Sequence, residues 1–83
     1  MKFLYFAWVR EKIGRAEEDL DPPADIRRVS DLLDWLRARG PEYRAALADA
    51  ARIRVAVNQE HARPDATVRP RDEIAIFPPV TGG

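Results

Sequence analysis

The sequence predicts an α+β domain in which one main helix packs across one face of a β-sheet. Short apolar segments near the two ends of the chain, residues 2–8 and 73–77, have the composition of strands. Between them, residues 29–36 repeat apolar side chains at helical spacing. Eighty-three residues suffice for one hydrophobic core. We therefore expect a single domain over residues 1–77, followed by a flexible tail over residues 78–83.

The first predicted strand, Lys2–Trp8, is apolar on both faces. Its alternate positions place Phe3 and Tyr5 on one side and Leu4 and Phe6 on the other. A strand with one face in water normally alternates apolar and polar residues. We therefore expect one face of this strand in the core and a cover over the other.

The segment that follows is mostly polar. Val9–Ile13 is predicted to form a short helical turn that ends at Gly14, because glycine readily takes the left-handed conformation found after helices. Arg15–Leu20 is predicted as a second strand at a sheet edge, with the acidic run Glu17–Asp19 in solvent. Asp21–Asp25 contains two prolines and is predicted as a loop.

The main helix is predicted to begin with Ser30 as its N-cap and to end at Gly40-Pro41. Its apolar stripe follows the i, i+3, i+4, i+7 spacing of one helix face. The stripe consists of Val29, Leu32, Leu33 and Leu36. A second, shorter helix is predicted around Tyr43, Ala46 and Leu47, running to about Ala51.

The last third of the chain is predicted to return to the sheet, which makes the order strand, strand, helix, strand, strand. The predicted elements are a strand over residues 53–57, a turn over 58–60, a brief edge strand over His61–Arg63, turns at Pro64-Asp65 and Pro70–Asp72, and a final strand over Glu73–Phe77. If the helix covers one face, the opposite face exposes an apolar patch. That patch consists of Leu4, Phe6, Ala56, Ala75 and Phe77, and it is better explained as a binding surface than as bare surface.

Composition excludes several classes of function. Fourteen basic residues balance fourteen acidic ones, which argues against a nucleic-acid partner. The chain has no cysteine, so thiolate metal sites and a cysteine nucleophile are excluded, and we expect its single histidine, His61, at a surface or interface rather than on a metal. The apolar run Phe3–Val9 is too short to cross a bilayer, and charged residues follow it directly. We expect a soluble, cytoplasmic protein with no membrane partner.

The last six residues, Pro78–Gly83, are predicted to be held by another molecule. Pro78 and Pro79 favour an extended direction away from the domain. Gly82 and Gly83 carry no Cβ, so this end can enter a channel too narrow for other residues.

Three segments resemble the small subunit of molybdopterin synthase: Phe77–Gly83, Phe6–Glu11 and Val57–Gln59. The resemblance covers the whole chain, and the terminal heptapeptide is its most specific part. This family consists of ubiquitin-like sulfur carriers with the β-grasp fold. The resemblance therefore implies a mixed sheet of four to five strands with one main helix across one face.

The resemblance also implies a chemistry. Gly83 would be adenylated by a partner of the ubiquitin-activating type and then converted to a thiocarboxylate with sulfur from a donor system. ATP and magnesium would bind that adenylyltransferase, and this chain would bind no cofactor or metal of its own. In a heterotetramer, the large synthase subunit would receive the tail residues Pro78, Pro79, Val80, Thr81 and Gly82. The sulfur would pass to cyclic pyranopterin monophosphate and form the dithiolene of molybdopterin.

The implied partner interface includes Leu4, Phe6, Ala56, His61, Ala75 and Phe77. Two positions depart from the family pattern: His61 stands where an aliphatic interface residue is expected, and Arg71 replaces a turn glycine. Two alternatives remain open. One is a related carrier for thiamine thiazole, tRNA thiolation or cysteine synthesis, against which the tail Phe77–Thr81 argues. The other is a β-grasp interaction module without terminal chemistry.

Overall fold

A computed structural model describes residues 1–79, which form a five-stranded mixed sheet with the helices on one side. The elements in chain order are β1 Lys2–Tyr5, α1 Ala7–Ile13, β2 Glu17–Asp19, α2 Val29–Arg37, α3 Pro41–Ala46, a 3₁₀ turn Ala50–Arg52, β3 Arg54–Val57, β4 Glu60–Ala62 and β5 Glu73–Phe77. The strand order is β2-β1-β5-β3-β4. The central pair β1 and β5 is parallel, and the other pairs are antiparallel. This is the predicted β-grasp arrangement.

The core lies between the sheet and helix α2, as the apolar stripe predicts. All four stripe residues are buried. They pack in one cluster with the inward side chains of the three central strands, Phe3, Tyr5, Val55, Ile74 and Ile76. Full burial of an aliphatic or aromatic side chain of this size contributes about 1.5–3 kcal/mol. The inward side chains of the three central strands are therefore buried in the core and are not available to bind a partner.

The first strand is shorter than predicted. It ends at Tyr5, Phe6 forms the N-cap of α1, and Ala7 turns the chain with a φ of 51°. Trp8 therefore lies on a helix. Residues 3–8 are rich in aromatic side chains, which is why the sequence predicted a strand up to Trp8. In the structure, α1 buries Val9 and packs on α3.

The end of α1 agrees with the prediction. Gly14 takes the left-handed conformation, with a φ of 88°, and its backbone N–H donates to the carbonyl of Arg10. The chain then returns to the sheet through β2, which pairs with β1 along one edge.

Helix α2 begins differently from the prediction. Its N-cap is Arg28, without a side-chain capping bond, and Ser30 lies inside the helix. The backbone N–H groups of Val29 and Ser30 instead donate to the carbonyls of Ala66 and Pro64, at 3.0 and 2.9 Å. A loop from a distant part of the chain thus satisfies the donors that a capping side chain would otherwise bind.

The second helix is also interrupted earlier than predicted. Pro41 occupies the first turn of α3, which suits proline because its missing N–H has no helical partner there. The helix ends at Ala46, and a separate 3₁₀ turn follows, with Asp49 accepting a bond from the backbone N–H of Ala51. The predicted continuous helix to Ala51 is therefore two short segments.

The turns in the last third of the chain are as predicted. Asn58 and Gln59 both have positive φ, as in the two-residue turns that suit the twist of hairpins. The Asn58 side chain also donates to Asp72 and accepts from the backbone N–H of Glu73, which ties two turns together. Arg71 is not among the described residues with positive φ, so the turn does not need the expected glycine.

The largest departure from the predicted surface is Glu18. Its side chain is only 8% exposed, although the acidic run was predicted to be solvated. The hydroxyls of Tyr5 and Tyr43 each donate to its carboxylate at 2.7 Å, and Arg15 donates at 3.0 Å. Glu18 points inward because the alternation of β2 places it opposite Phe3. It joins the edge strand to β1 and α3.

Candidate docking face and C-terminal tail

Strand pairing brings the predicted interface residues together on the side of the sheet that faces away from α2. Leu4, Ala75, Ala56 and His61 form one row across four strands, because each is the register partner of the next. Phe77 is two residues after Ala75 on β5 and therefore lies on the same side of the sheet. We call these five residues and Phe6 the outer face.

The outer face is more varied in exposure than predicted. Phe6 is 46% exposed and is the single exposed large hydrophobic side chain among residues 1–79. Leu4, Ala75 and Phe77 are half-buried. Ala56 is 8% exposed and therefore does not contribute open surface, since its small side chain lies between the rows of two neighbouring strands. Phe6 is therefore the most exposed apolar side chain of the outer face.

Phe6 lies beside the end of β5 although it is not part of β1. Its backbone N–H donates to the carbonyl of Ile76 at 3.1 Å. This bond continues the parallel pairing of β1 and β5 by one residue. Phe6 and Phe77 consequently flank the point at which the chain leaves the sheet.

His61 is part of the outer face through its contact with Phe77. The two ring centroids are 5.6 Å apart and the ring planes meet at 75°, an edge-to-face arrangement. Such pairs contribute about 0.5–1.5 kcal/mol beyond burial. The histidine therefore replaces the expected aliphatic side chain with a ring that packs on Phe77, while remaining exposed to solvent.

The strand that leads into the tail is held on both sides. β5 pairs with β1 and β3, and it ends at Phe77, where the domain boundary is predicted. Pro78 and Pro79 follow and are half-buried. The predicted reactive residue Gly83 and the tail residues Val80, Thr81 and Gly82 lie outside the described residues. Their roles, and that of the outer face, stay predictions.

Glu18, Tyr5 and Tyr43 form the most perturbed titratable group in residues 1–79, and they lie on the inner side of the sheet. Burial alone would raise the pKa of Glu18, but the hydroxyls of Tyr43 and Tyr5 stabilise its anion, and the pKa falls below its ordinary value. Burial and the bond to Glu18 raise the pKa of each tyrosine. Because every member has a partner, this group is structural.

The described residues offer no metal centre and no membrane span. Within residues 1–79, no three His, Cys, Asp or Glu side chains gather where they could hold a metal ion. No helix in the same range has the length and apolarity needed to cross a membrane.

The sequence prediction missed a cationic cluster close to the tail. The Trp8 ring has the Lys12 ammonium 5.3 Å from its centroid and the Arg52 guanidinium 5.6 Å from it. We call Trp8, Lys12 and Arg52 the Trp8 cluster. The signal in the sequence was the i, i+4 spacing of Trp8 and Lys12, which is informative only once a helix is known to begin at Ala7.

Comparison with known proteins gives consistent sequence matches. The ThiS family matches residues 3–83. The chain is 37% identical over 83 residues to the molybdopterin synthase sulfur carrier subunit of Escherichia coli strain K12, covering 100% of this chain and 99% of that protein. It is 35% identical over 83 residues to the protein of the same name from Haemophilus influenzae, with the same coverage. A Dictyostelium discoideum protein of that name is 37% identical over 84 residues and is covered to 94%.

Solved structures give the same result for the fold. SAMP1 from Haloferax volcanii superimposes with a TM-score of 0.79 at 31% identity, covering 100% of this chain and 98% of that one. The small archaeal modifier protein 1 of Methanosarcina acetivorans gives a TM-score of 0.72 at 27% identity, covering 99% and 94%. These likenesses confirm the predicted ubiquitin-like β-grasp fold.

Proposed function

The chain belongs to the ThiS family, and from this we propose that it is the sulfur carrier subunit of a molybdopterin synthase. The observation that carries the proposal is the full-length similarity to relatives of that name from two bacteria and a eukaryote. The resemblance first drawn from the segments around Phe6, Val57 and Phe77–Gly83 is thereby confirmed.

The proposed reactive group is the main-chain carboxylate of Gly83. A free carboxylate is anionic at neutral pH and reacts poorly with nucleophiles. Adenylation by a ubiquitin-activating-type partner joins the carboxylate to AMP and releases pyrophosphate from ATP. Hydrosulfide from the donor system then attacks the acyl carbon and displaces AMP. The product loses a proton and is the thiocarboxylate of Gly83, with no change of oxidation state.

The rest of the chain binds the partner and presents that carboxylate to it. Phe6 and Phe77 dock on the large synthase subunit, because they supply the accessible apolar area beside the end of β5. The stiff Pro78-Pro79 segment then directs the tail into the partner. Two successive carriers supply the two sulfurs that convert cyclic pyranopterin monophosphate to molybdopterin.

The first test separates a carrier from an inert interaction module. The chain is co-expressed with the adenylyltransferase and sulfur source of its host, and its intact mass is measured. We expect a gain equal to the replacement of one oxygen by sulfur, localised to Gly83 by fragmentation. An unchanged mass in the presence of active partners would contradict any carrier function.

The second test separates the proposed acceptor from those of related carriers. The thiocarboxylated chain is mixed with the large synthase subunit and cyclic pyranopterin monophosphate, and molybdopterin is quantified by fluorescence after oxidation. We expect product in proportion to the thiocarboxylate supplied. A carrier that is sulfurated but yields no molybdopterin would instead belong to thiamine, tRNA or cysteine synthesis.

A further inference from the structure

We propose that the Trp8 cluster is an electrostatic docking site for a carboxylate on the large synthase subunit, which receives the tail. This inference rests on the proposed function, because it concerns the same docking event. It adds a charged contact, beside the outer face, that no family resemblance assigns.

The cluster lies next to the point at which the tail leaves the domain. Phe6, two residues before Trp8, donates its backbone N–H to Ile76. On the other side of β5, Arg54, two residues after Arg52, is the register partner of Phe77. Helix α1, which follows β1, and the turn Ala50–Arg52, which precedes β3, therefore adjoin the two strands that flank the end of β5.

The cations of the cluster are exposed and have no carboxylate partner in the described part of the chain. Lys12 and Arg52 are both exposed, and neither belongs to the ion pairs found among residues 1–79. Both lie within 5.6 Å of the centroid of the same indole ring. The Trp8 ring, whose π face attracts cations, therefore gathers two positive groups in one region of the surface.

The surrounding segments are also positive, although the whole chain is neutral. Residues 7–13 and 49–54 carry four cations, Arg10, Lys12, Arg52 and Arg54, against two carboxylates, Glu11 and Asp49. Asp49 accepts a bond from the backbone N–H of Ala51, and Arg54 donates to the carbonyls of Ala51 and Ile53. The Trp8 cluster thus lies in a local positive potential at the tail end of the molecule.

The position of the cluster indicates the kind of partner. A protein that takes the tail must bring its surface against this end of the domain, where water around Lys12 and Arg52 is displaced. Cations that lose water without gaining an opposite charge weaken binding strongly. A partner that binds well therefore presents an Asp or Glu side chain to the cluster, and its opposite charge accelerates encounter.

Charge reversal with a matched control tests the proposal. The rate of association with the large synthase subunit is measured at low and high salt for Lys12→Glu/Arg52→Glu and for Arg27→Glu/Arg71→Glu. The control pair changes the net charge equally. Arg27 lines a cavity together with Met1 and Pro70, and Arg71 lies just before β5, so both are near the start of β5 and not near its end. We expect the cluster variant to associate roughly tenfold more slowly at low salt, with the difference shrinking at high salt. The control should stay within about twofold of the wild type.

A neutral pair, Lys12→Gln/Arg52→Gln, should give an intermediate rate, and circular dichroism checks that each variant is folded. Equal slowing of the control, a cluster variant as fast as the wild type, or a wild-type rate that does not depend on salt would each overturn the proposal. Failure of the proposed function is distinct, because the wild type would then gain no sulfur or make no molybdopterin. If the wild type works while charge reversal has no effect, this inference alone is wrong.

Discussion

The Glu18 carboxylate illustrates how a single residue takes a role that its neighbours do not share. Glu17 and Asp19 on the same strand are exposed, whereas the Glu18 side chain turns inward between Tyr5 and Tyr43. A buried anion is tolerated only when hydrogen-bond donors replace its water. Two hydroxyls and the Arg15 guanidinium do so here.

Replacing Glu18 with Gln should lower the free energy of unfolding at pH 7 by about 1–2 kcal/mol, because charge-assisted hydrogen bonds become neutral ones. The folded-state pKa of Glu18 lies below the ordinary 4.5, so its contribution is present above that pH and disappears as the pH falls through the folded-state pKa. Chemical denaturation from pH 7 downwards checks this.

The matched control is Glu17→Gln. Glu17 forms an ion pair with Lys2 at 3.2 Å, but its side chain is 59% exposed, so we expect a change of no more than about 0.5 kcal/mol. A Glu18→Gln variant that keeps the same deficit at strongly acidic pH would show that charge is not the cause.

At the scale of elements, β5 connects the core to the proposed docking event. Its alternate residues Ile74 and Ile76 are fully buried, whereas Ala75 and Phe77 face the outer side and are half-buried. One strand therefore has a stabilising face and a proposed recognition face. Substitutions on the two faces should consequently have separable effects.

Phe77→Asp should weaken binding to the large synthase subunit at least about tenfold, since a charge would be desolvated in an apolar contact. The same change should lower the free energy of unfolding by only about 1 kcal/mol, because the side chain is half-buried. Calorimetric titration and thermal unfolding measure the two effects.

Ala45→Asp is the matched control, because Ala45 is exposed on α3 and is not part of the outer face. It should leave binding unchanged. Unaltered affinity of Phe77→Asp would remove the outer face from the proposed interface.

At the scale of the whole molecule, stability and proposed reactivity belong to different parts of the chain. The core cluster extends from Phe3 to Ile76, whereas the proposed reactive atom is on Gly83. The β-grasp domain can therefore be an ordinary stable scaffold. Its proposed function depends on what it presents to a partner.

Deleting Gly83, or adding one residue after it, should abolish molybdopterin formation and sulfur gain, because the reactive carboxylate is lost or displaced. Either change should leave the free energy of unfolding within about 0.5 kcal/mol of the wild type. Intact mass, the synthase assay and denaturation measure these outcomes. An extended chain that still supports synthesis would contradict the proposed role of Gly83.

Sequence patterns predicted the fold well where one periodicity dominated. The stripe Val29, Leu32, Leu33 and Leu36 and the alternation of Glu73–Phe77 placed each residue on the correct side. Prediction failed for Ser30 and Trp8. Ser30 was a plausible N-cap locally, but backbone carbonyls from residues 64 and 66 bind those donors instead. Trp8 was assigned to a strand because aromatic residues favour strands, whereas packing on α3 stabilises a helix there.

The amino-acid sequence by itself determined the α+β class, the core face of each main element and the segments by which the family could be identified, because these depend on local spacing and residue type. Only the tertiary structure decided that the Glu18 side chain turns inward, that His61 packs on Phe77 and that Lys12 and Arg52 share the Trp8 ring. Apart from the contact between Trp8 and Lys12, which are neighbours on α1, each of these contacts joins residues from separate elements. Such contacts depend on strand register and helix packing, which no local pattern specifies.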